Sequence, residues 1–121
     1  VYIYGEDSPD FGSMKVDSFK KHSHQYKQFA EKVIAENEKK LNSENQTLYL
    51  PCEDVPRSIP ARSYRLSMSM NSDSTYVFSM QFYVYPMGIY NYTTDQSNVS
   101  CMKKKPSFVE LEKDWYYVCY F

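Results

Sequence analysis

The sequence has no long hydrophobic run and almost no charge imbalance, and both absences restrict the function of the protein. No stretch of about 18 apolar residues occurs, so we predict no membrane-spanning helix. With 14 basic and 15 acidic residues, the chain has no electrostatic reason to bind nucleic acid or an anionic membrane surface. The lysine run 103–105 is typical of a solvated loop. Only three glycines are present, and they are too scattered for a phosphate-binding loop.

Catalytic and metal-binding patterns are also missing. His22 and His24 are the only histidines, and a separation of two residues on a helix places them on different faces, so they cannot hold one metal ion together. Neither histidine has a cysteine or an acid spaced to form a nucleophile–base pair. We therefore predict that the protein is not an enzyme and has no catalytic residue, no metal and no cofactor.

Three N-glycosylation sequons are present in this short chain. They begin at Asn45, Asn91 and Asn98, none has proline in the middle, and each lies at or near a predicted strand end or loop. Together with the cysteines they indicate export, so we predict a secreted, extracellular glycoprotein with glycans at these asparagines. The chain starts at Val1 without a signal peptide or an initiator Met, which favours a mature form whose signal peptide has been removed.

The cysteine count is odd. In an oxidising compartment, two of Cys52, Cys101 and Cys119 are expected to form a disulfide, and the third to stay a buried thiol or pair with a partner chain. Cys52 lies in a loop-like segment, so we predict it to be the free or intermolecular thiol, which allows a disulfide-linked dimer. Pairing of Cys52 with Cys101 or with Cys119 stays open at this point.

Hydrophobic periodicity divides the single predicted domain, 1–121, into three parts. Residues 1–12 are rich in Gly, Asp, Ser and Pro and are predicted to be an irregular arm, in which residues 1–4 could add an edge strand. Residues 13–42 repeat apolar side chains with helical spacing and contain neither proline nor glycine, which predicts one long amphipathic helix. The stripe comprises Phe19, His22, Tyr26, Phe29, Ala30, Val33, Ile34 and Leu41.

The period changes to two in the last part, 61–121, which predicts an antiparallel sheet. Residues 64–70 and 76–84 alternate apolar and polar side chains around a turn at 71–74, as in a β-hairpin. Residues 89–94 and 98–103 are predicted to be a third, interrupted strand, and residues 109–121 a fourth. The predicted inner face comprises Tyr64, Leu66, Met68, Met70, Phe78, Met80, Phe82, Trp115 and Tyr117.

Strand phase favours one disulfide over the others. If Asn98 carries a glycan it must point to water, so Val99 and Cys101 point inward on the same strand. Cys119 has the same inward phase if Trp115 faces the core. We therefore predict a Cys101–Cys119 disulfide.

Aromatic residues make up 17% of the chain, including thirteen Tyr, and some of them fall on the outer phase of the sheet. In a two-layer fold the side chains of this outer phase are exposed to water. A contiguous apolar face of this kind usually contacts a partner. The predicted partner-binding residues are Tyr83, Tyr85, Tyr116, Val118 and Tyr120. The alternative is that residues 1–4 or a second sheet cover them.

The order helix, hairpin, strand, strand resembles the layout of the cystatins over residues 13–121. The resemblance implies an α+β fold with one long N-terminal helix packed on a curved antiparallel sheet of about four strands; a small β-barrel or lipocalin-like sheet with a helix is the alternative. Inhibitory cystatins carry Gln-x-Val-x-Gly in the first hairpin turn and a Pro-Trp pair in the second. Here the turns are Asn71-Ser72-Asp73-Ser74 and Tyr85-Pro86-Met87-Gly88, so only Pro86 has a counterpart.

These observations favour a secreted glycoprotein that acts as a non-enzymatic protein-binding or neutralising module with an extracellular protein partner. One alternative is a cystatin-type cysteine-protease inhibitor. Another is a carrier of a small apolar ligand, in which Met68, Met70 and Met80 line a cavity rather than ordinary core.

Overall fold

A long helix and a six-stranded antiparallel sheet form most of the structure, a computed structural model that describes residues 9–41, 47–71, 75–84 and 88–119. A short second helix lies between the fourth and fifth strands. In chain order the elements are α1 (Pro9–Glu38), β1 (Thr47–Asp54), β2 (Ser63–Met70), β3 (Tyr76–Tyr83), β4 (Ile89–Thr93), α2 (Gln96–Lys103), β5 (Val109–Glu112) and β6 (Trp115–Val118). The predicted α+β class is confirmed.

Helix α1 packs its predicted apolar stripe against the sheet. Its 30 residues extend about 45 Å at 1.5 Å per residue. Phe19, Tyr26 and Val33 are buried at the predicted seven-residue spacing, and His22 and Phe29 are half-buried beside them. The boundaries differ from the prediction, because the helix already begins at Pro9 and ends at Glu38. Residues 9–12, predicted as part of an irregular arm, are therefore helical, while residues 1–8 lie outside the described range.

The strands follow the order β1-β2-β3-β4-β6-β5, and every neighbouring pair is antiparallel. The prediction of about four strands is wrong for two reasons. Residues 47–54 form a full strand before the predicted start of the sheet at residue 61. The last run also folds back at Lys113-Asp114, where Asp114 has a φ of 69°, so it forms the two strands β5 and β6. The sheet is open, with β1 and β5 at its edges, so the β-barrel alternative is wrong.

Aromatic rings fill the space between α1 and the inner face of the sheet. Tyr26 makes edge-to-face contacts with Phe82 and Tyr90, with ring centroids 5.1 and 5.3 Å apart. Trp115 stacks on Tyr92 at 4.6 Å with an interplanar angle of 5°. Met68 and Met80 are fully buried in this core. Each fully buried aromatic or aliphatic side chain contributes about 1.5–3 kcal/mol to the free energy of unfolding.

Helix α2 replaces the predicted strand at 98–103. Asp95 is its N-cap, because the Asp95 side chain accepts a hydrogen bond from the Ser97 backbone N–H at 3.1 Å. Val99 and Met102 are three residues apart on one helical face, and both are buried. They lie against the sheet face that points away from α1, which we call the outer face. The molecule therefore has a third layer over part of its sheet.

The pairing of both edge strands, β1 and β5, with their neighbours is irregular. In β1, the pairing with β2 shifts between Leu50 and Glu53, and Pro51 in this bulge has no N–H to donate. At the other edge, β5 has only four residues, and its pairing shifts between Glu110 and Glu112. The shift brings the Glu112 carboxylate to the α1 side of the sheet, where it pairs with Lys27.

Candidate functional site

The outer aromatic residues predicted to bind a partner are largely covered by the chain itself. Tyr116 and Val118 are 7% and 0% exposed, because α2 and the segment after it pack on them. Phe108 stacks on Tyr116 with ring centroids 5.6 Å apart. The prediction that Tyr116 and Val118 form an exposed partner-binding face is therefore wrong. Tyr83 is half-buried at the border of this region, and Tyr85 and Tyr120 lie outside the described residues.

We call the covered set the outer cluster. It consists of Ile89, Val99, Met102, Tyr116 and Val118. Burial, together with the carboxylates of Asp114 and Glu110, raises the pKa of Tyr116. A small apolar core thus exists on each face of the sheet, and the outer one depends on α2.

The sequon asparagine Asn91 is part of the contact between α2 and the sheet. It is fully buried, and its Oδ1 accepts a hydrogen bond from Ser79 Oγ at 3.1 Å. Its Nδ2 donates to Met102 Sδ at 3.3 Å and to Asn98 Oδ1 at 3.5 Å. A glycan on Nδ2 would have to occupy the space that α2 fills. The prediction of a glycan at Asn91 is therefore incompatible with this structure.

The other two sequons differ from Asn91. Asn98 is half-exposed in the first turn of α2, and its Nδ2 donates one hydrogen bond to Ser79 Oγ at 3.1 Å. An amide nitrogen has two hydrogens, so one position stays available for a glycan. Asn45 lies outside the described residues.

The predicted Cys101–Cys119 disulfide is absent, and the secondary structure explains why. Cys119 has the predicted inward phase and is half-buried against the core, with its N–H donating to Ser107 Oγ at 2.8 Å. Cys101, however, is exposed on α2 rather than inward on a strand. The two side chains are not bonded to each other. Cys52 is exposed and unpaired on the edge strand β1.

The remaining part of the outer face, on β1, β2 and β3, has no layer over it among the described residues. We call it the open outer face and define it by Tyr49, Arg65, Ser67, Gln81 and Tyr83. Tyr49 is a large hydrophobic side chain that is nevertheless 56% exposed. Register places Tyr49 opposite Ser67, and Arg65 opposite Gln81, so these side chains form neighbouring cross-strand pairs.

Contacts within the open outer face connect Arg65, Tyr83 and Gln81. The Arg65 guanidinium carbon lies 5.4 Å from the centroid of the Tyr83 ring, within cation–π range. The Tyr83 hydroxyl donates to Gln81 Oε1 at 3.2 Å. Between Tyr49 on one side and Asn98 of α2 on the other lies a groove of about 190 Å³ whose floor includes Ser67 and Ser79. The face therefore combines an aromatic ring, a guanidinium group and several neutral hydrogen-bonding groups.

A different pocket opens at one end of the interface between α1 and the sheet. We call it the end pocket; it has a volume of about 250 Å³. Its lining consists of Ser18, Tyr26, Ile59, Pro60, Ala61, Val84 and Tyr90. Tyr26 donates its hydroxyl hydrogen to the Pro60 carbonyl at 2.9 Å. Burial raises the pKa of Tyr26 and of Tyr90, while a hydrogen bond with Ser18 acts in the opposite direction on Tyr90.

A charged cleft of about 230 Å³ separates α1 from the turn between β5 and β6. Lys27 forms an ion pair with Glu112 there, and Glu31, Lys113 and Asp114 are neighbours. Burial and the carboxylates of Asp114 and Glu31 raise the pKa of Tyr92, which lies at the base of the cleft. Both partners of the ion pair are about 40% exposed, so the pair contributes less than about 1 kcal/mol.

No group of three or more His, Cys, Asp or Glu side chains is arranged to hold a metal ion within the described part of the chain. Over the same residues, neither helix is sufficiently long and apolar to cross a membrane. His22 has a buried Nδ1 without a hydrogen-bond partner, and His24 is exposed. No family model, curated protein or solved structure matches this chain.

Sequence reasoning missed Tyr49 and Arg65 as members of the candidate site. Arg65 was visible as an outward residue of the first hairpin, but Tyr49 belongs to β1, which precedes the predicted sheet at 61–121. The alternation of Leu48, Tyr49 and Leu50 is the signal that places Tyr49 outward.

Proposed function

We propose that this chain is a secreted glycoprotein that acts as a non-enzymatic binding module and engages an extracellular protein through the open outer face. The observation that carries the proposal is the exposure of Tyr49 beside the Arg65–Tyr83 contact, on a part of the outer face of the described sheet that α2 does not cover. Tyr and Arg are enriched at the centres of protein interfaces, where a few such residues dominate affinity.

Rigidity of the open outer face supports the same proposal. Tyr49, Arg65 and Gln81 are on three paired strands, so their Cα positions are fixed by the sheet. A protein that binds with pre-positioned side chains loses less conformational entropy on association. Neutral groups such as Ser67 and Gln81 can satisfy polar atoms of a partner without a large desolvation cost.

The direct test is affinity capture from an extracellular fluid with a matched pair of variants. The site variant Tyr49→Ala/Arg65→Ala removes the exposed ring and the guanidinium group. The control Lys20→Ala/Glu31→Ala removes one basic and one acidic side chain from the exposed surface of α1. We expect the wild type and the control to recover the same partner, and the site variant to recover at least tenfold less. Equal recovery by all three proteins would discard the open outer face as the binding site.

The glycoprotein part of the proposal is tested separately, by mass spectrometry of glycopeptides from protein expressed in a secretory host. We expect a glycan at Asn98, whose amide is half-exposed. We expect none at Asn91 in folded protein, because this amide is buried beneath α2. Full occupancy of Asn91 in a folded, secreted product would contradict both the site assignment and the placement of α2.

We further propose Cys52 as the thiol for a disulfide-linked dimer. Its support is its exposure on the edge strand β1 and the absence of a bond to another described cysteine. A non-reducing gel of the secreted protein is expected to show a dimer band that disappears in Cys52→Ser. A dimer band that persists in this variant would remove the idea.

A cystatin-like arrangement also stays a proposal. It is supported by one long helix that precedes an antiparallel sheet and packs across it. Cysteine-protease inhibition has no such support, because residues 71–74 lack the Gln-x-Val-x-Gly pattern. Unchanged activity of a papain-type protease at micromolar concentrations of the chain is the expected result.

A further inference from the structure

We propose that a glycan on Asn98 covers part of the open outer face and weakens the binding of a protein partner there, so that occupancy of this sequon regulates the site. The inference rests on the proposed function, in which Asn98 is glycosylated and the open outer face binds a protein, and it adds the control of that binding. The observation that carries it is that Asn98 lines the same groove as Tyr49 and Arg65.

Strand register places Asn98 and Tyr49 at the two ends of one row across the sheet. Ser79 on β3 lies opposite Ser67 on β2, and Ser67 lies opposite Tyr49 on β1. Asn98 Nδ2 donates to Ser79 Oγ at 3.1 Å, so the Asn98 amide lies at the β3 end of this row. Neighbouring strands are about 4.8 Å apart, so the backbones of Ser79 and Tyr49 are separated by about 10 Å. A glycan on Asn98 therefore begins about two strand spacings from the strand that carries the exposed ring.

Hydrogen bonds hold the Asn98 amide against the sheet. Besides the bond from Nδ2 to Ser79, Asn98 Oδ1 accepts a hydrogen bond from Asn91 Nδ2 at 3.5 Å. Ser79 and Asn91 are both buried, whereas Asn98 is half-exposed. The first sugar on Asn98 therefore starts at the surface of the sheet, beside the groove, rather than at the end of a side chain that extends into solvent.

The groove has the size and the hydrogen-bonding groups to hold one sugar ring. Its volume is about 190 Å³, and a cavity of about 150 Å³ is sufficient for a six-membered carbon ring. Arg65, Ser67 and Gln81 line it with a guanidinium, a hydroxyl and an amide group, each able to bond to sugar hydroxyls. An N-linked glycan is bulky, so its further sugars do not fit in the groove. They lie above the open outer face and hinder the approach of a protein surface.

The test uses a protein-sized probe, so that it does not depend on the natural partner. A synthetic single-domain antibody is selected on the unglycosylated chain from a bacterial host and is kept only if Tyr49→Ala/Arg65→Ala abolishes its binding. Its dissociation constant is then measured for the chain from a secretory host, with the occupancy of Asn98 determined by mass spectrometry of glycopeptides. We expect the antibody to bind the glycosylated chain at least tenfold more weakly than the bacterial one.

Two substitutions at Ser100 form the matched pair. Ser100 is exposed on α2 and does not line the groove. Ser100→Ala removes the sequon of Asn98, whereas Ser100→Thr keeps it. From the secretory host, Ser100→Ala should bind the antibody within twofold of the bacterial wild type, and Ser100→Thr as weakly as the glycosylated wild type. Equal affinity for Ser100→Ala and the glycosylated wild type, or an unoccupied Asn98, would overturn the proposal.

The proposed function is judged by a separate result. Affinity capture with Tyr49→Ala/Arg65→Ala decides whether a natural partner uses the open outer face, whereas the antibody decides whether the glycan shields this face. If both proposals hold, Ser100→Ala should recover at least threefold more partner than the glycosylated wild type. Recovery of less partner by Ser100→Ala would show that the partner binds the glycan itself, and would overturn the shielding.

Discussion

The two halves of the outer face belong to one sheet but differ in burial and in side-chain polarity. Over β4 and β6, Ile89, Tyr116 and Val118 are buried under α2. Over β1 to β3, the corresponding positions are occupied by Tyr49, Ser67 and Gln81, which remain partly or largely exposed. The apolar outer residues of β4 and β6 have to be buried, and α2, with eight residues, is sufficient to bury them. The partner-binding role that we propose falls on the half that α2 leaves uncovered.

The largest expected difference between the halves concerns apolar burial. Met102→Ala truncates a fully buried side chain of the outer cluster and should lower the free energy of unfolding by about 2–5 kcal/mol. The matched control Lys103→Ala changes the next, exposed residue of α2 and should stay within about 0.5 kcal/mol. Urea unfolding followed by circular dichroism measures both. Similar small losses for the two variants would show that α2 does not seal the sheet.

A matched pair of amides compares the two halves at positions that face each other in the register. Asn91→Ala leaves Ser79 and Asn98 without their buried partner and should cost about 1–3 kcal/mol. Gln81 lies opposite Asn91 on the neighbouring strand, and Gln81→Ala on the open half should cost within about 0.5 kcal/mol. The comparison fails if chemical denaturation gives the same free energy of unfolding for both variants.

Alkaline pH tests the inner face, which both outer halves share. Burial, with smaller contributions from Cys119 and Tyr90, raises the pKa of Tyr117 to about 12 from the ordinary value of 10.0. A folded-state pKa above the unfolded one means that the unfolded chain loses its proton first. Stability is then fully present below about pH 10 and falls as the pH rises toward 12.

Tyr117→Phe provides the control for this pH dependence. The variant has no phenol to ionise at this position, so its stability should decline less steeply above about pH 10. Urea unfolding midpoints at several alkaline pH values measure the slope. Identical slopes for the variant and the wild type would contradict the assignment of the shift to Tyr117.

The smallest expected effect is that of Tyr49→Ala on stability, within about 0.5 kcal/mol. The side chain is 56% exposed and has no packing role comparable to Met102. Thermal unfolding is a suitable measurement. A loss above about 2 kcal/mol would indicate that Tyr49 is a structural residue, and would weaken its assignment to a binding face.

The sequence predicted the elements whose periodicity is long and regular. Helix α1 repeats its apolar stripe over about four turns, from Phe19 to Ile34, and the β2–β3 hairpin alternates cleanly. Tyr26 and Phe82 were therefore both placed in the core, where the structure has them. Helix α2 was missed because, over only eight residues, Val99 and Cys101 also fit an alternating strand. The Asp95 cap and the Val99–Met102 spacing were the signals for a helix.

The errors at the candidate site follow from that one helix. A strand at 98–103 would have left Tyr116 and Val118 exposed to water and turned Cys101 inward. Helix α2 instead buries Tyr116 and Val118 and exposes Cys101. The turn between β5 and β6 was also missed, because Lys113-Asp114 contains no Gly, Pro or Asn. Asp114, with a φ of 69°, was the one signal, since Asp adopts positive φ more readily than most residues. Whether a sheet face is covered depends on tertiary packing, which local periodicity does not encode.

The two interrupted edges of the sheet have a consequence for how this molecule associates with others. An incoming strand would need a regular row of main-chain donors and acceptors, but Pro51 and the bulge break this row at β1, and four residues with Glu110 and Glu112 provide little length at β5. Growth of the sheet from one molecule into the next is therefore disfavoured. The binding that we propose is therefore expected to use side-chain contacts rather than strand addition, and the same interrupted edges disfavour fibril formation.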